Sequence, residues 1–298
     1  MTVSRRVLLV SVALAAAAFA AAQPIGRSVS AAAMQARPAR IISVIPAVTE
    51  MLFAIGAGPQ MAAVGSFDDY PPEAAKLPRV GALLDPDVER MLSLRPDLVV
   101  VYDSQSDLRK QLERVGIPMF VYRHGGLADV MTTITALGER AGRQTEAAAV
   151  RGRIEAKLAD IRARVAGRPR PRTVLVFGRD AGARRGIYAS GGAGFLHDML
   201  VAAGGENVFA DIRREAVQAT SELVLARQPD AIVELRVLPD DAARSREVSA
   251  WKTLTAIPAV RDNRVVIISD QRTVVPGPRV AEGTELIARA LHPEAFAK

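Results

Sequence analysis

The chain has 298 residues, 49% of them hydrophobic and 24% charged, with 22 Gly, 18 Pro and no long low-complexity tract, which excludes a disordered or fibrous protein and leaves room for two domains of ordinary size. Basic side chains outnumber acidic ones by 39 to 32, yet aromatics make up only 4%, too few to stack against bases, so no nucleic-acid partner is expected. Cysteine is absent, which removes disulfides, thiolate metal sites and a cysteine nucleophile, and His124, His197 and His292 stand too far apart to form a metal-binding pair.

Arg5-Arg6 precede an apolar, Ala-rich run from Val7 to Ala22. It is shorter than the roughly 20 residues that span a bilayer. The run reads as an export signal over residues 1–22, cleaved near Ala22 and followed by a spacer over 23–38. Loss of Arg5 and Arg6 with it leaves 37 basic against 32 acidic side chains. A lipid anchor needs a cysteine at the mature N-terminus, so the expectation is a soluble monomer in a Gram-negative-type periplasm, not a lipoprotein.

Strands and helices then alternate over 39–144. A β-branched strand at Ile41–Ile45 is stopped by Pro46, and Thr49-Glu50 open a short helix, Met51 to Ile55, closed by Gly56 and Gly58. A strand at Met61–Val64, a Pro-rich loop through Tyr70-Pro71-Pro72 and a helix near Asp87–Leu94 follow. Leu98–Val101 is apolar on both faces, as a buried parallel strand is. A helix over Asp107–Val115 and a strand over Met119–Tyr122 complete one doubly wound lobe.

Over 145–167 the apolar residues Ile154, Leu158, Ile161 and Val165 form one helical stripe with charges opposite, which predicts a long amphipathic helix joining two lobes. The second lobe, 168–298, opens on the strand Thr173–Phe177 and repeats the grammar of the first. Glu89, Pro96 and Asp97 recur as Glu222, Pro229 and Asp230 at a constant spacing, each time as acid, short helix, Pro-Asp turn and apolar strand. Glu89 and Glu222 also complement a helix N-terminus.

Five stretches together resemble the periplasmic binding proteins of ABC importers for cobalamin, ferric siderophores and haem, and among these the vitamin B12-binding members most. They are Arg40–Ser43 with Pro46–Glu50, Ser66–Pro72, Asp87–Val100, Ala203–Phe209 and Pro276–Arg279. The resemblance covers about residues 39–292. It implies a class III periplasmic binding protein fold, with two doubly wound α/β lobes joined by one long α-helix and the ligand held between them. It implies a permease dimer with its ATPase as partner, docked through one surface glutamate per lobe, here Glu89 and Glu222. It also implies aromatic side chains facing a flat corrin.

Tyr70 and Tyr102 match two such aromatic positions and Phe177 offers a third, whereas Leu83 stands where relatives often carry Trp and the loop after Asp211 offers only Ala216. Arg179, Asp270 and Arg272 fall at strand ends, where an open α/β sheet places its ligands. A corrinoid is the expected cargo. Haem and a ferric siderophore are the alternatives, since arginines would welcome propionates or an anionic chelate. No resident cofactor or metal is expected. Neither a nucleophile elbow nor a P-loop nor a dinucleotide fingerprint occurs, so an enzyme is not expected, and a periplasmic sensor domain is the remaining alternative.

Overall fold

A computed structural model describes residues 37–297. The expected export signal, residues 1–22, and most of the spacer lie outside them. The first lobe comprises β1 (Ile41–Ser43), α1 (Pro46–Ala54), β2 (Met61–Val64), α2 (Val88–Ser93), β3 (Leu98–Tyr102), α3 (Ser106–Arg114), β4 (Met119–Tyr122) and α4 (Leu127–Ala141). Its four strands are all parallel, in the order β2-β1-β3-β4.

Two local readings change. Pro46 does not merely end a strand: it opens α1, where its fixed φ suits a first helical turn and its missing N–H is no loss, so Thr49 and Glu50 lie inside the helix and are buried. Helix α4 is an addition to the expected elements. Leu127, Val130, Ile134, Leu137 and Ala141 form its buried stripe; its N-cap is Gly126, which has no side chain to announce the helix, and its first N–H groups are taken by Asp129 and Asp198 instead.

Helix α5 (Gln144–Val165) follows at once and buries the anticipated stripe of Ile154, Leu158, Ile161 and Val165. The second lobe holds β5 (Arg172–Gly178), β6 (Ile187–Ser190), α6 (Gly194–Ala202), β7 (Glu206–Asn207), β8 (Ala216–Ala219), α7 (Ser221–Arg227), β9 (Ala231–Leu235), α8 (Asp241–Trp251), α9 (Pro258–Arg261), β10 (Val265–Ile268) and α10 (Val280–Leu291). Strands run β10-β9-β5-β6-β8; β5, β9 and β10 are mutually parallel, and β6 and β8 are antiparallel additions.

The sequence repeat is a three-dimensional one. Asp97 accepts from the backbone N–H groups of Ala39 and Arg40, while Arg40 Nε donates to the Leu94 carbonyl. In the second lobe Asp230 accepts from Arg172 N–H, and Arg172 Nη2 donates to the Arg227 carbonyl. Arg95 and Gln228, at matching positions between helix and Pro-Asp turn, both adopt φ of 46°. Each Asp thus ties the start of one central strand to the turn that launches its neighbour, leaving no donor stranded at the sheet edge.

One apolar core runs through both lobes. It includes Ile41 and Val99 from the first sheet, Ile134 of α4, Leu158 of α5, Met199 of α6 and Ile287 of α10. A second cluster, with Val174, Val176, Phe209 and Trp251, covers the other face of the second sheet. Close packing across α4, α5, α6 and α10 resists hinge motion between the lobes.

Candidate ligand cleft

Parallel strands put all their C-terminal ends on one edge, where the end of β5, the loops leaving β4 and β10, and the starts of α6 and β8 supply the residues that meet. His124, just before α4, comes from the first lobe; Phe177, Phe195, Glu215, Ala216 and Val274 come from the second. Together they line an interlobe cavity of about 340 Å³. The His124 and Phe195 rings meet edge to face at 5.2 Å, and His124 Nε2 lies 3.8 Å from Glu215 Oε2. Gly194 opens α6 with φ of 83°, and a Cβ there would come within 3.0 Å of the Glu215 side chain. Glycine therefore lets the helix start close against the acid.

Tyr102, at the end of β3, stacks edge to face on Tyr122 at 5.2 Å. Burial, with the Glu215 and Asp103 carboxylates adding, pushes the Tyr102 phenol up to about 12. Burial also pushes Tyr122 up. Both remain neutral hydroxyls at neutral pH, able to donate as well as accept.

The expected site residues do not all meet. Phe177 lines the interlobe cavity. Leu83 lines a separate depression with Gln105, which connects it to Tyr102: Gln105 Nε2 donates to the Leu83 carbonyl at 2.6 Å, and Tyr102 N–H donates to Gln105 Oε1 at 2.8 Å. Tyr70 faces a third cavity of about 650 Å³ beside Phe53 and Pro278, with the Arg279 guanidinium 3.7 Å over its ring. Asp270 and Arg272 pair with each other, Arg272 Nε donating to Asp270 Oδ1 at 2.9 Å. That contact holds the Asp270 carboxyl below the usual range.

Arg179 requires a correction. Its side chain is 0% exposed, with Nε 3.0 Å from Glu234 and Nη2 2.7 Å from Glu247, and its guanidinium packs on Trp251. Leaving a guanidinium unpaired in that interior would be very costly, so two carboxylates hold it inward and it offers nothing to a ligand in the cleft. Glu89 and Glu222 are exposed in the first turns of α2 and α7, capped by Asp87 and Thr220 respectively.

Sequence reasoning passed over Glu215, Tyr122 and Phe195, and gave His124 no role. No motif marks any of them; only position after a strand end could have singled them out. Phe67, 71% exposed in the loop after β2, belongs with them as an uncovered ring. Among the described residues no group of three or more His, Asp or Glu side chains could hold a metal ion. No helix among them is long and apolar enough to cross a membrane.

Comparison with known proteins agrees with this architecture. The family model described as periplasmic binding protein matches residues 41–272. An ABC transporter substrate-binding lipoprotein of Bacillus subtilis, YvrC, is 29% identical over 266 residues, covering 87% of this chain and 82% of that protein. The vitamin B12-binding protein of Salmonella typhimurium is 32% identical over 227 residues, covering 74% of this chain and 80% of its own. In fold, the periplasmic vitamin B12 binding protein BtuF of Vibrio cholerae superposes with a TM-score of 0.73 at 24% identity, covering 88% of this chain and 99% of that one. With the family match spanning both sheets and the linking helix, the chain belongs to the periplasmic binding protein family.

Proposed function

We propose that the protein is the periplasmic solute-binding component of an ABC importer and that it captures a metal chelate, cobalamin or another corrinoid, between its lobes. The observation that carries this reading is the interlobe cavity lined by Phe177 and neighboured by Tyr102, in a chain 32% identical to a vitamin B12-binding protein. A corrin is a broad, apolar-faced ring, and each aromatic side chain laid against it removes apolar area from water at about 25 cal/mol per Å². The cavity takes one edge of such a ring, and Tyr102 at the end of β3 stands beside it. The role is binding rather than catalysis. In this reading the protein acts as a monomer in the periplasm.

Delivery follows from the repeat. Glu89 and Glu222 occupy matching positions on the two lobes, so a two-fold permease with its ATPase can engage both through related cationic sites. Either exposed ion pair alone is weak, and engagement of two at once supplies the hold.

Haem is the second reading, favoured by the His124 imidazole at the cavity wall, which could ligate an iron. Equilibrium dialysis and visible spectra of the exported protein with cyanocobalamin, cobinamide, hemin and a ferric hydroxamate separate the two. Saturable retention of a corrinoid at one per chain is expected. Retention of hemin alone, with a Soret shift lost in His124→Ala, would replace the corrinoid by haem.

A further inference from the structure

The arginines that would greet an anionic ligand are already engaged. Arg179 is sealed between Glu234 and Glu247, Arg272 is held by Asp270, and Arg279 is held by Glu50. The exposed Arg123 leans toward Asp103 at 3.6 Å, and neither it nor Arg213 nor Arg214 lines the interlobe cavity.

The charged side chain that does line the cavity is Glu215. It is about half exposed, and among the described residues its carboxylate has no arginine or lysine within ion-pair distance. Its nearest ionisable neighbour is His124, whose imidazole lends it a positive charge only when protonated. Tyr102 stands nearby with a neutral hydroxyl, its phenol pushed up by burial first and by the Glu215 and Asp103 carboxylates after it. The cavity therefore offers apolar rings, one imidazole and one carboxylate, with the Tyr102 hydroxyl nearby.

We infer that Glu215 is a specificity-determining residue: it selects macrocycles whose rim carries neutral amides or positive charge and rejects those whose rim carries carboxylates. This rests on the corrinoid reading and sharpens it. Amide N–H groups can donate to the Glu215 carboxylate, whereas a ligand carboxylate brought beside it meets like charge in a partly desolvated cavity. Rejection by an unfavourable contact yields selectivity without tighter binding of the favoured ligand. It also separates amidated corrinoids from haem, a flat macrocycle that carries free propionates, and from ferric chelates of net negative charge.

The test holds the ring constant and varies its charge. Cobinamide and cobyrinic acid share one corrin; the first carries amides at its rim and the second carboxylates. Calorimetric titration at low ionic strength should give cobyrinic acid an affinity about 100-fold below that of cobinamide, a gap that narrows as salt screens it. Glu215→Gln, nearly the same shape without the charge, should shrink the gap by about tenfold, and Glu215→Lys should shrink it further. Equal affinities in the wild-type protein, or an unchanged gap in both variants, would overturn the inference while leaving the corrinoid reading intact. Failure of every corrinoid to bind would instead overturn that reading and this inference with it.

Discussion

Arg279 and Glu50 join the two lobes through a forked ion pair. Arg279 Nε and Nη2 donate to the two Glu50 carboxylate oxygens at 2.9 and 2.6 Å, while the same guanidinium covers the Tyr70 ring. Glu50 is only 4% exposed. Burial raises its carboxyl above the ordinary value, and the forked contact with the guanidinium pulls against that rise. Arg279→Ala should therefore destabilise the protein by about 3 kcal/mol or more, with Arg279→Lys recovering only part because a point charge cannot fork. Urea denaturation measures it; a loss below about 1 kcal/mol would mean that the pair does not hold the lobes.

Asp68 should make stability depend on pH in a definite direction. It is fully buried in the loop between β2 and Tyr70, with neither carboxylate oxygen in a hydrogen bond among the described residues. Thr49 and the Gly65 backbone approach it, and the Arg79 and Asp69 charges act on it from nearby. Desolvation pushes its carboxyl from 3.8 up to about 6. Because the folded value lies above the unfolded one, stability is greatest below pH 3.8 for this group and is lost as pH rises through about 6, by about 3 kcal/mol in all. Asp68→Asn removes the titration. The variant should gain on the wild type between pH 4.5 and 7.5; a constant difference across that range would contradict the assignment.

Ring removal should rank the aromatic positions by cavity. Phe177→Ala and Tyr102→Ala should each weaken corrinoid binding by roughly 1 to 3 kcal/mol, the stacked area lost. Tyr70→Ala should cost less, since its ring lies beneath Arg279 in a different cavity. Titration of the three variants checks the order; a dominant effect of Tyr70 would move the ligand toward Arg279.

The fold was legible wherever period and punctuation coincided. Ile154, Leu158, Ile161 and Val165 announced α5, and Leu98–Val101 announced a strand covered on both faces. Glu89 with Asp97 and Glu222 with Asp230 disclosed the repeat because each Asp performs the same backbone task. The cleft was less legible. Strand ends told which loops reach it but not which side chains turn into it, so Arg179, one residue past β5, could not be distinguished from a ligand contact until Glu234 and Glu247 were seen to enclose it. Glu215 was hidden for the opposite reason: in a surface loop that also holds Asp211, Arg213 and Arg214, one more charged residue carries no sequence signal.

Replacing Glu89 and Glu222 together by Ala should leave the unfolding midpoint and ligand affinity nearly unchanged, since both side chains are exposed and away from the cavity. Uptake through the cognate permease in reconstituted vesicles should fall sharply, and each single change should do less than the double. Normal transport by the double variant would reduce the two residues to helix-start electrostatics.

Cobalt scatters X-rays anomalously, so a crystal grown with cyanocobalamin locates the cargo without assumption. One cobalt peak per chain is expected between the lobes, with the corrin against Phe177 and its amides within hydrogen-bond reach of Glu215 or Tyr102. A peak beside Tyr70 and Arg279, or no cobalt bound while hemin occupies the interlobe cavity, would contradict that expectation.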